Sequence, residues 1–201
     1  MQTTICTAVV AGLGVTASAQ LVNPGIEDVT SPLFGAIDGW GPNGGWADHA
    51  GFARPGAAGL GNNFGFYSAG ATETVGQVSS LTFQEGFEYT FASFAYPGGS
   101  DVGTIPYQIG YEDDLGAFVE LATMAYDISG AGMWQELPGV SYTAASGGAE
   151  IGRPVWVRLG DASAGGNDDI WFDSFTLTAI PSPGAAVVLA IGPLAAVRRR
   201  R

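Results

Sequence analysis

Two segments in the middle of the chain constrain its fold more than any other feature. Residues 88–96, EYTFASFAY, alternate two sets of side chains one by one, and residues 105–112, IPYQIGYE, place Ile105, Tyr107, Ile109 and Tyr111 on one face. A period of two residues is that of a β-strand, whose successive side chains point to opposite faces of a sheet. The pattern therefore predicts antiparallel strands with one buried face and one wet face.

Short apolar segments separated by glycine-bearing turns continue this pattern to residue 179. The 201 residues include 32 glycines and 11 prolines, and no helical period appears between residues 20 and 180. Roughly nine or ten strands without a fixed repeat predict an all-β fold, an antiparallel two-sheet jelly-roll sandwich. The last predicted strand, residues 169–179, is expected to place Trp171, Asp173, Phe175 and Leu177 on one side.

The first 19 residues have the character of a secretory signal peptide. Thr7 to Val15 is apolar and small, and Ala17-Ser18-Ala19 forms an A-x-A cleavage site before Gln20. Ala19 is thus the predicted last residue removed, although no lysine or arginine precedes the apolar run. The only cysteine, Cys6, lies in this segment, so the predicted mature protein has no disulfide.

Residues 180–201 combine three features in a fixed order. Pro181-Ser182-Pro183 precedes an apolar run from Ala185 to Val197, and Arg198 opens a cluster of four arginines. As a helix the run would cover about 20 Å, less than the ~30 Å hydrocarbon core of a bilayer, and Pro193 further disfavours a stable span. The arginines favour the cytoplasmic face, with the rest of the chain outside.

This order resembles the C-terminal sorting tail of PEP-CTERM proteins of Gram-negative-type bacteria. The resemblance implies a transient inner-membrane anchor that an exosortase-type protease recognises and cuts near Pro181, Ser182 and Pro183, with Arg198 at the start of the cationic end. Ser182 stands where the consensus Pro-Glu-Pro has glutamate, and an ordinary weak C-terminal anchor is the alternative. The predicted organisation is residues 1–19 as signal, 20–179 as sandwich and 180–201 as sorting tail. The export machinery is an expected partner, and the cell surface or extracellular matrix is the expected location.

The part of the chain between these two end segments is strongly acidic. It holds three arginines, no lysine and all 19 aspartate and glutamate residues, a net charge of −16. Such a polyanion repels nucleic acid and acidic membrane surfaces, so neither is an expected partner.

A second resemblance spans most of residues 20–179. The segments NPGIE (23–27), GW (39–40), GFEYTF (86–91) and WFDSFTL (171–177) resemble the galactose-binding-like jelly rolls, which include carbohydrate-binding modules of the family 4/9 type. The resemblance implies a structural calcium ion held by Glu27 and Asp173, with Asp28 assisting. Carboxylate and carbonyl oxygens are the ligands that calcium prefers. The alternative is that Asp173 caps a turn or accepts backbone N–H groups.

Sugar recognition would use aromatic platforms with polar groups beside them. The glycine-rich region supplies such a set, and the predicted ligand contacts with a polysaccharide are Trp46, His49, Arg54, Asn62 and Tyr67. Three other tryptophans, Trp40, Trp134 and Trp171, are assigned to the core. Trp156 shares a strand face with Arg158 and is either an exposed platform or part of a surface pair.

Motifs for catalysis are absent from the sequence. It has one histidine, His49, and no G-x-S-x-G, H-E-x-x-H or phosphate loop. The sequence therefore predicts a protein that is not an enzyme: an exported, surface-sorted β-sandwich that binds glycans or matrix and biofilm polymers. The alternatives are a structural or adhesive surface protein that binds proteins, and a polysaccharide-active enzyme.

Overall fold

A computed structural model describes residues 17–18, 21–42, 45–48, 59–68, 74–98, 103–160 and 169–182. Eleven strands lie within these ranges: β1 Ala17–Ser18, β2 Gly41–Pro42, β3 Gly45–Asp48, β4 Asn63–Ser68, β5 Val75–Thr82, β6 Phe87–Pro97, β7 Thr104–Glu112, β8 Phe118–Asp127, β9 Gln135–Thr143, β10 Pro154–Leu159 and β11 Asp169–Pro181.

The strands form two antiparallel sheets. One has the order β3-β4-β11-β6-β9, with β1 also paired to β11, and the other has the order β2-β5-β10-β7-β8. The predicted all-β, two-sheet jelly-roll sandwich is confirmed. The predicted signal helix and sorting helix lie outside the described residues. Among the described residues, no helix has the length and apolar character needed to cross a bilayer.

The core between the sheets follows the alternation seen in the sequence. Phe91 and Ala95 of β6 are fully buried, as are Ile105, Tyr107 and Ile109 of β7. A buried hydroxyl needs a hydrogen-bond partner, and the Tyr107 hydroxyl lies 2.6 Å from Ser93 Oγ of β6. The two sheets are thus joined by a polar contact inside an apolar core.

A second apolar cluster lies on the outer face of the β11 sheet, the face turned away from the other sheet. It consists of buried Leu60, Phe64, Trp134 and Trp171 with partly buried aromatic neighbours. The Trp171 ring stacks on that of Tyr96 with 5.3 Å between centroids. The assignment of Trp134 and Trp171 to the core is confirmed, and that of Trp40 is as well, since it is 5% exposed.

Strand β11 does not keep a single side-chain alternation, so the prediction of one shared face is wrong. Asp173 pairs with Phe94 and Thr176 with Ala92, which leaves an irregular step between them. Ser174, inside that step, has a φ of 51°. A bulge of this kind shifts the alternation by one residue. Trp171 and Asp173 therefore lie on the outer side, whereas Phe175 belongs to the core between the sheets.

Candidate functional site

Trp156 lies on the outer face of the β10 sheet. Its neighbours in β10, Val155 and Val157, are fully buried in the core, so Trp156 projects to the opposite face, where it is half-buried. Across the strands it pairs with Val78 of β5 and with Gly110 of β7. The space over Gly110, which has no side chain, is taken by the Phe118 ring, whose Cζ lies 2.6 Å from where a Gly110 Cβ would be. The indole is an aromatic surface that solvent reaches.

Two grooves adjoin one another beside this tryptophan. One, of about 600 Å³, is lined by Val22, Gly39, Trp40, Gly41, Gly76, Gln77, Val78 and Trp156. The other, of about 700 Å³, is lined by residues 21–25, Glu27, Asp28 and residues 78–80. Val22 and Val78 line both grooves, and their side chains are 58% and 44% exposed. Exposed aliphatic and aromatic groups in a concave surface are typical of a ligand-binding site.

A row of polar side chains crosses the same sheet face next to Trp156. The Arg158 Nε donates to Gln108 Oε1 at 2.5 Å, and the Gln108 amide nitrogen in turn donates to Glu120 Oε2. The Arg158 guanidinium carbon also lies 3.8 Å from the centroid of the Phe118 ring. Three adjacent strands thus present fixed donors and acceptors beside an aromatic platform.

The wall of both grooves near Val22 is held by a compact turn. The Asn23 side chain closes it, because Nδ2 donates to the Asp28 carbonyl at 2.7 Å and Oδ1 accepts the Asp28 amide at 2.9 Å. The Asn23 carbonyl also accepts the Trp40 indole N–H at 3.2 Å. Ile26, at the tip of the turn, is fully buried. This packing orients the next residue, Glu27, away from the core.

The Glu27 carboxylate caps the start of β4. Its Oε1 accepts the amides of Asn62 and Asn63 at 2.6 and 3.1 Å, and its Oε2 accepts from Asn62 Nδ2 at 3.3 Å. A Cβ on Gly61, whose φ is +94°, would lie 2.1 Å from Glu27 Oε1. The close approach of this carboxylate therefore requires glycine at position 61.

Asp173 is the second carboxyl group at this place, and it is fully buried. Its Oδ1 accepts the amide of Ser174, the residue at the bulge. The pKa of Asp173 is raised to about 8, chiefly because the carboxyl group is buried and also because the negative charge of Glu27 lies near it. The two carboxyl groups predicted as calcium ligands thus lie close enough to interact electrostatically.

The carboxyl groups of Glu27 and Asp173 suit a hard cation by their charge, but they supply only two side-chain ligands. A buried carboxyl group beside a second carboxylate is stabilised as an anion by a cation between them. Among the described residues, however, no three His, Cys, Asp or Glu side chains come together. Any further ligands from this part of the chain would be carbonyl or hydroxyl oxygens, which calcium accepts.

Among the predicted glycan contacts, the structure describes the side chains of Asn62 and Tyr67, and these two do not share an open surface. Tyr67 is buried, and its hydroxyl donates to the Gly160 carbonyl at 2.9 Å, so it does not line an open surface. Asn62 is exposed but bonds to Glu27. Trp46 lies in β3 opposite Gly65, and His49 and Arg54 lie outside the described residues. The groove residues Val22, Gly39 and Val78 were missed because no short motif joins them.

The predicted processing residues lie at the margins of the described structure. Pro181 pairs with Phe87 at the end of β11, and the Ser182 amide donates to the Gly86 carbonyl at 2.7 Å. Ala19, Pro183 and Arg198 lie outside the described residues. Cleavage at either end stays a prediction.

Comparison with known proteins identifies the fold through structure alone. No protein-family model and no curated protein matches the chain. A Stig cyclase from Fischerella sp. TAU, solved with a pyrrolidinylidene-indole compound, has a TM-score of 0.66 at 16% identity, covering 84% of this chain and 100% of that chain. A CBM4 structure has a TM-score of 0.50 at 14% identity, covering 80% and 99%. The CBM22-1 xylan-binding domain from Paenibacillus barcinonensis also has a TM-score of 0.50, at 15% identity, covering 87% and 99%.

The prediction that the chain is not an enzyme is overturned by the cyclases, which have higher TM-scores than the binding modules. It rested on missing motifs, and motifs do not detect every catalytic group. Burial raises the pKa of Asp173 to about 8, and a carboxyl group with such a raised pKa is a type of proton donor that has no signature in the sequence. At 14–17% identity the likeness concerns the fold. The chain has the jelly-roll fold that carbohydrate-binding modules and cyclases share.

Proposed function

We propose that this chain binds a neutral polysaccharide in the grooves beside Trp156. The observation that carries the proposal is the partly exposed indole between Val78 and Gly110, with an open groove at its edge. The apolar faces of sugar rings pack on aromatic side chains, whereas their hydroxyl groups need polar partners. The row formed by Arg158, Gln108 and Glu120 offers such partners on the same face.

Charge selects the class of polysaccharide. The whole chain has a formal net charge of −12, and the part between its two end segments is more acidic still. Acidic polymers would be repelled at long range, particularly at low salt. Neutral glycans carry no such penalty, and a chain of several sugar units would span both grooves.

We further propose that calcium binds between Glu27 and Asp173. The pair is supported by burial of Asp173, by the electrostatic contact between the two groups and by the fixed position of Glu27 on β4. Calcium would supply positive charge that stabilises both carboxylates.

The place of action that we propose is the bacterial surface or its matrix. The signal-like residues 1–19 and the Pro-Ser-Pro, apolar and arginine order of residues 180–201 support export followed by exosortase-type sorting. The mass of the protein recovered from its own cells tests both cuts at once. A mass that retains both end segments would contradict this route.

A glycan array probed with the full chain tests the binding function. Neutral plant, algal and bacterial glycans are expected to bind, and Trp156→Ala is expected to abolish the signal. Leu115→Ala, which removes a 92% exposed apolar side chain at a hairpin tip, is the matched control. If the array stays silent with the wild type while surface proteins are captured, the adhesive alternative replaces this proposal.

A second candidate function is an enzyme that acts on an aromatic organic substrate. It is favoured by the higher TM-scores of the cyclases and by the raised pKa of Asp173. One cyclase was solved with 4-(1H-indol-3-yl)butan-2-one. Binding of this indole ketone by the full chain, measured by calorimetry, with no glycan binding, would favour the enzyme over the binding module.

A further inference from the structure

One short turn, residues 23–28, contributes to both proposed sites. Its first residue, Asn23, is 8% exposed and has a φ of 48°, a conformation that asparagine tolerates better than most residues. Both ends of its side-chain amide are used, since each bonds the backbone of Asp28. The turn is thus closed by one side chain rather than by a regular ladder of backbone bonds.

On one side, the turn follows directly on Val22, whose backbone is bonded to the Gln77 side chain of β5. The Val22 amide donates to Gln77 Oε1 at 2.7 Å, and Gln77 Nε2 donates to the Val22 carbonyl at 3.0 Å. Gly39 packs so closely that a Cβ there would lie 2.6 Å from Val22 Cγ1. Because Val22 lines both grooves, a shift of this residue would change the shape of each.

On the other side, the turn controls the position of Glu27. The Pro24 carbonyl accepts the Phe175 amide at 2.8 Å, two residues beyond Asp173. Ile26 is fully buried and prevents the turn from rotating without loss of core packing. Calcium that draws Glu27 and Asp173 together would therefore act on the same rigid unit that carries Val22.

We propose that Asn23 is a positioning residue that couples the two sites, so that calcium at Glu27 and Asp173 orders the Val22 wall of the grooves. This inference rests on the proposed function, because both the calcium site and the ligand-binding groove are part of that proposal. Coupling between two binding events is reciprocal, so a ligand in the groove would strengthen calcium binding by the same factor. The expected coupling is about five- to tenfold in affinity.

The experiment uses calcium chloride as the only probe and the full chain as the protein. Calorimetry measures calcium binding, and two-dimensional ¹H–¹⁵N NMR follows the amides of Val22 and Val78 and the indole N–H of Trp156. Calcium is expected to shift these three signals in the wild type. The backbone amide of Leu115, at the exposed hairpin tip between β7 and β8, serves as the reference and is expected to stay in place.

Two variants test the role of Asn23. Asn23→Ala removes both bonds to Asp28, and calcium is expected to bind with the groove signals unmoved. Asn23→Gly also removes both bonds but suits the φ of 48° better than alanine does, so it is expected to fold and likewise to bind calcium with the groove signals unmoved. If Asn23→Ala does not fold, Asn23→Gly decides the matter, and full wild-type shifts there overturn the proposal.

The outcomes separate this inference from the function on which it rests. If calorimetry shows that calcium binds but the signals of Val22, Val78 and Trp156 do not move, the coupling is overturned. The proposed calcium site is unaffected by that result. If calorimetry detects no calcium binding, both the calcium site and the coupling are overturned. Glycan binding is then tested separately by the array.

Discussion

The backbone amide of Phe175 donates to the Pro24 carbonyl at 2.8 Å. This bond joins the turn at residues 23–28 to the last strand at its bulge, between Asp173 and Thr176. It brings the two carboxyl groups of Glu27 and Asp173 to one place although they are 146 positions apart in the sequence. The stability of the sandwich is therefore expected to depend on the charge state of this junction.

Stability without calcium is expected to fall as the pH rises. The pKa of Asp173 is about 8 in the folded chain, above its usual 3.8, because the carboxyl group is buried and lies near Glu27. The folded state thus binds this proton more tightly than the unfolded chain, and the contribution of Asp173 is lost as the pH rises from about 4 to about 8. In a calcium chelator the melting temperature is expected to drop by on the order of 5 °C between pH 5 and pH 8.5.

The variant Asp173→Asn isolates this effect from the titration of other carboxyl groups. An amide of similar shape has no charge to bury, so its melting temperature should change less over the same pH range. Equal slopes for the two proteins would show that Asp173 does not cause the pH dependence.

Calcium is expected to stabilise the chain most at alkaline pH. At pH 8.5 the ion would neutralise two carboxylates, whereas at pH 5 it must first displace the proton of Asp173. Binding to the folded state alone raises stability by about 2.7 kcal/mol at a calcium concentration of 100 times its Kd. Thermal melts with and without calcium at both pH values measure this, and Glu27→Gln is expected to lose most of the gain. A calcium-induced rise that is the same in Glu27→Gln would place the ion elsewhere.

Gly139 is expected to tolerate no side chain. A Cβ there would lie 1.8 Å from the Phe91 carbonyl oxygen, at the irregular step between β6 and β9. Gly147 has nearly the same φ, 72° against 74°, but no atom lies within 4 Å of its Cβ position. Gly147→Ala should therefore cost about 1 kcal/mol in the free energy of unfolding, and Gly139→Ala should cost several times as much, as measured by urea unfolding. If Gly139→Ala and Gly147→Ala lose similar amounts of unfolding free energy, β9 accommodates the added methyl group without a further cost.

The buried contact between Tyr107 and Ser93 is expected to act as a unit. Each single change, Tyr107→Phe or Ser93→Ala, leaves one hydroxyl group in the core without this partner, at a cost of about 1–3 kcal/mol. The double variant should cost less than the sum of the two, since neither hydroxyl remains. A double-mutant cycle from urea unfolding measures the difference, and strict additivity would argue against the bond.

The sequence predicts strands well where the alternation is regular and fails where the backbone departs from it. Phe91 and Tyr107 are buried as their period of two predicts. Ser174 breaks that period in β11, because a bulge with a positive φ has no clear signal in the residue types. The sequence alone therefore assigned Phe175 to the face of Asp173, and the structure places it in the core.

The candidate site was predictable only in part. The proximity of Glu27 and Asp173 was anticipated from two short motifs at the ends of the domain, and the bond between the Phe175 amide and the Pro24 carbonyl joins the two segments that carry them. The grooves depend on Val22 and Val78, which come from distant segments and are ordinary in composition. Their joint exposure follows from the way the first turn packs on β5, which single residues do not encode.

Calorimetric titration of the full chain with its strongest array ligand, compared between the wild type and Trp156→Ala, shows whether the ligand binds on the Trp156 indole. If the ligand lies on the indole, the variant is expected to bind at least tenfold more weakly, a loss of about 1.4 kcal/mol or more, while its melting temperature, lowered by the loss of indole packing, still lies above the temperature of the titration. Unchanged affinity in Trp156→Ala would contradict binding at this indole and place the ligand on another surface.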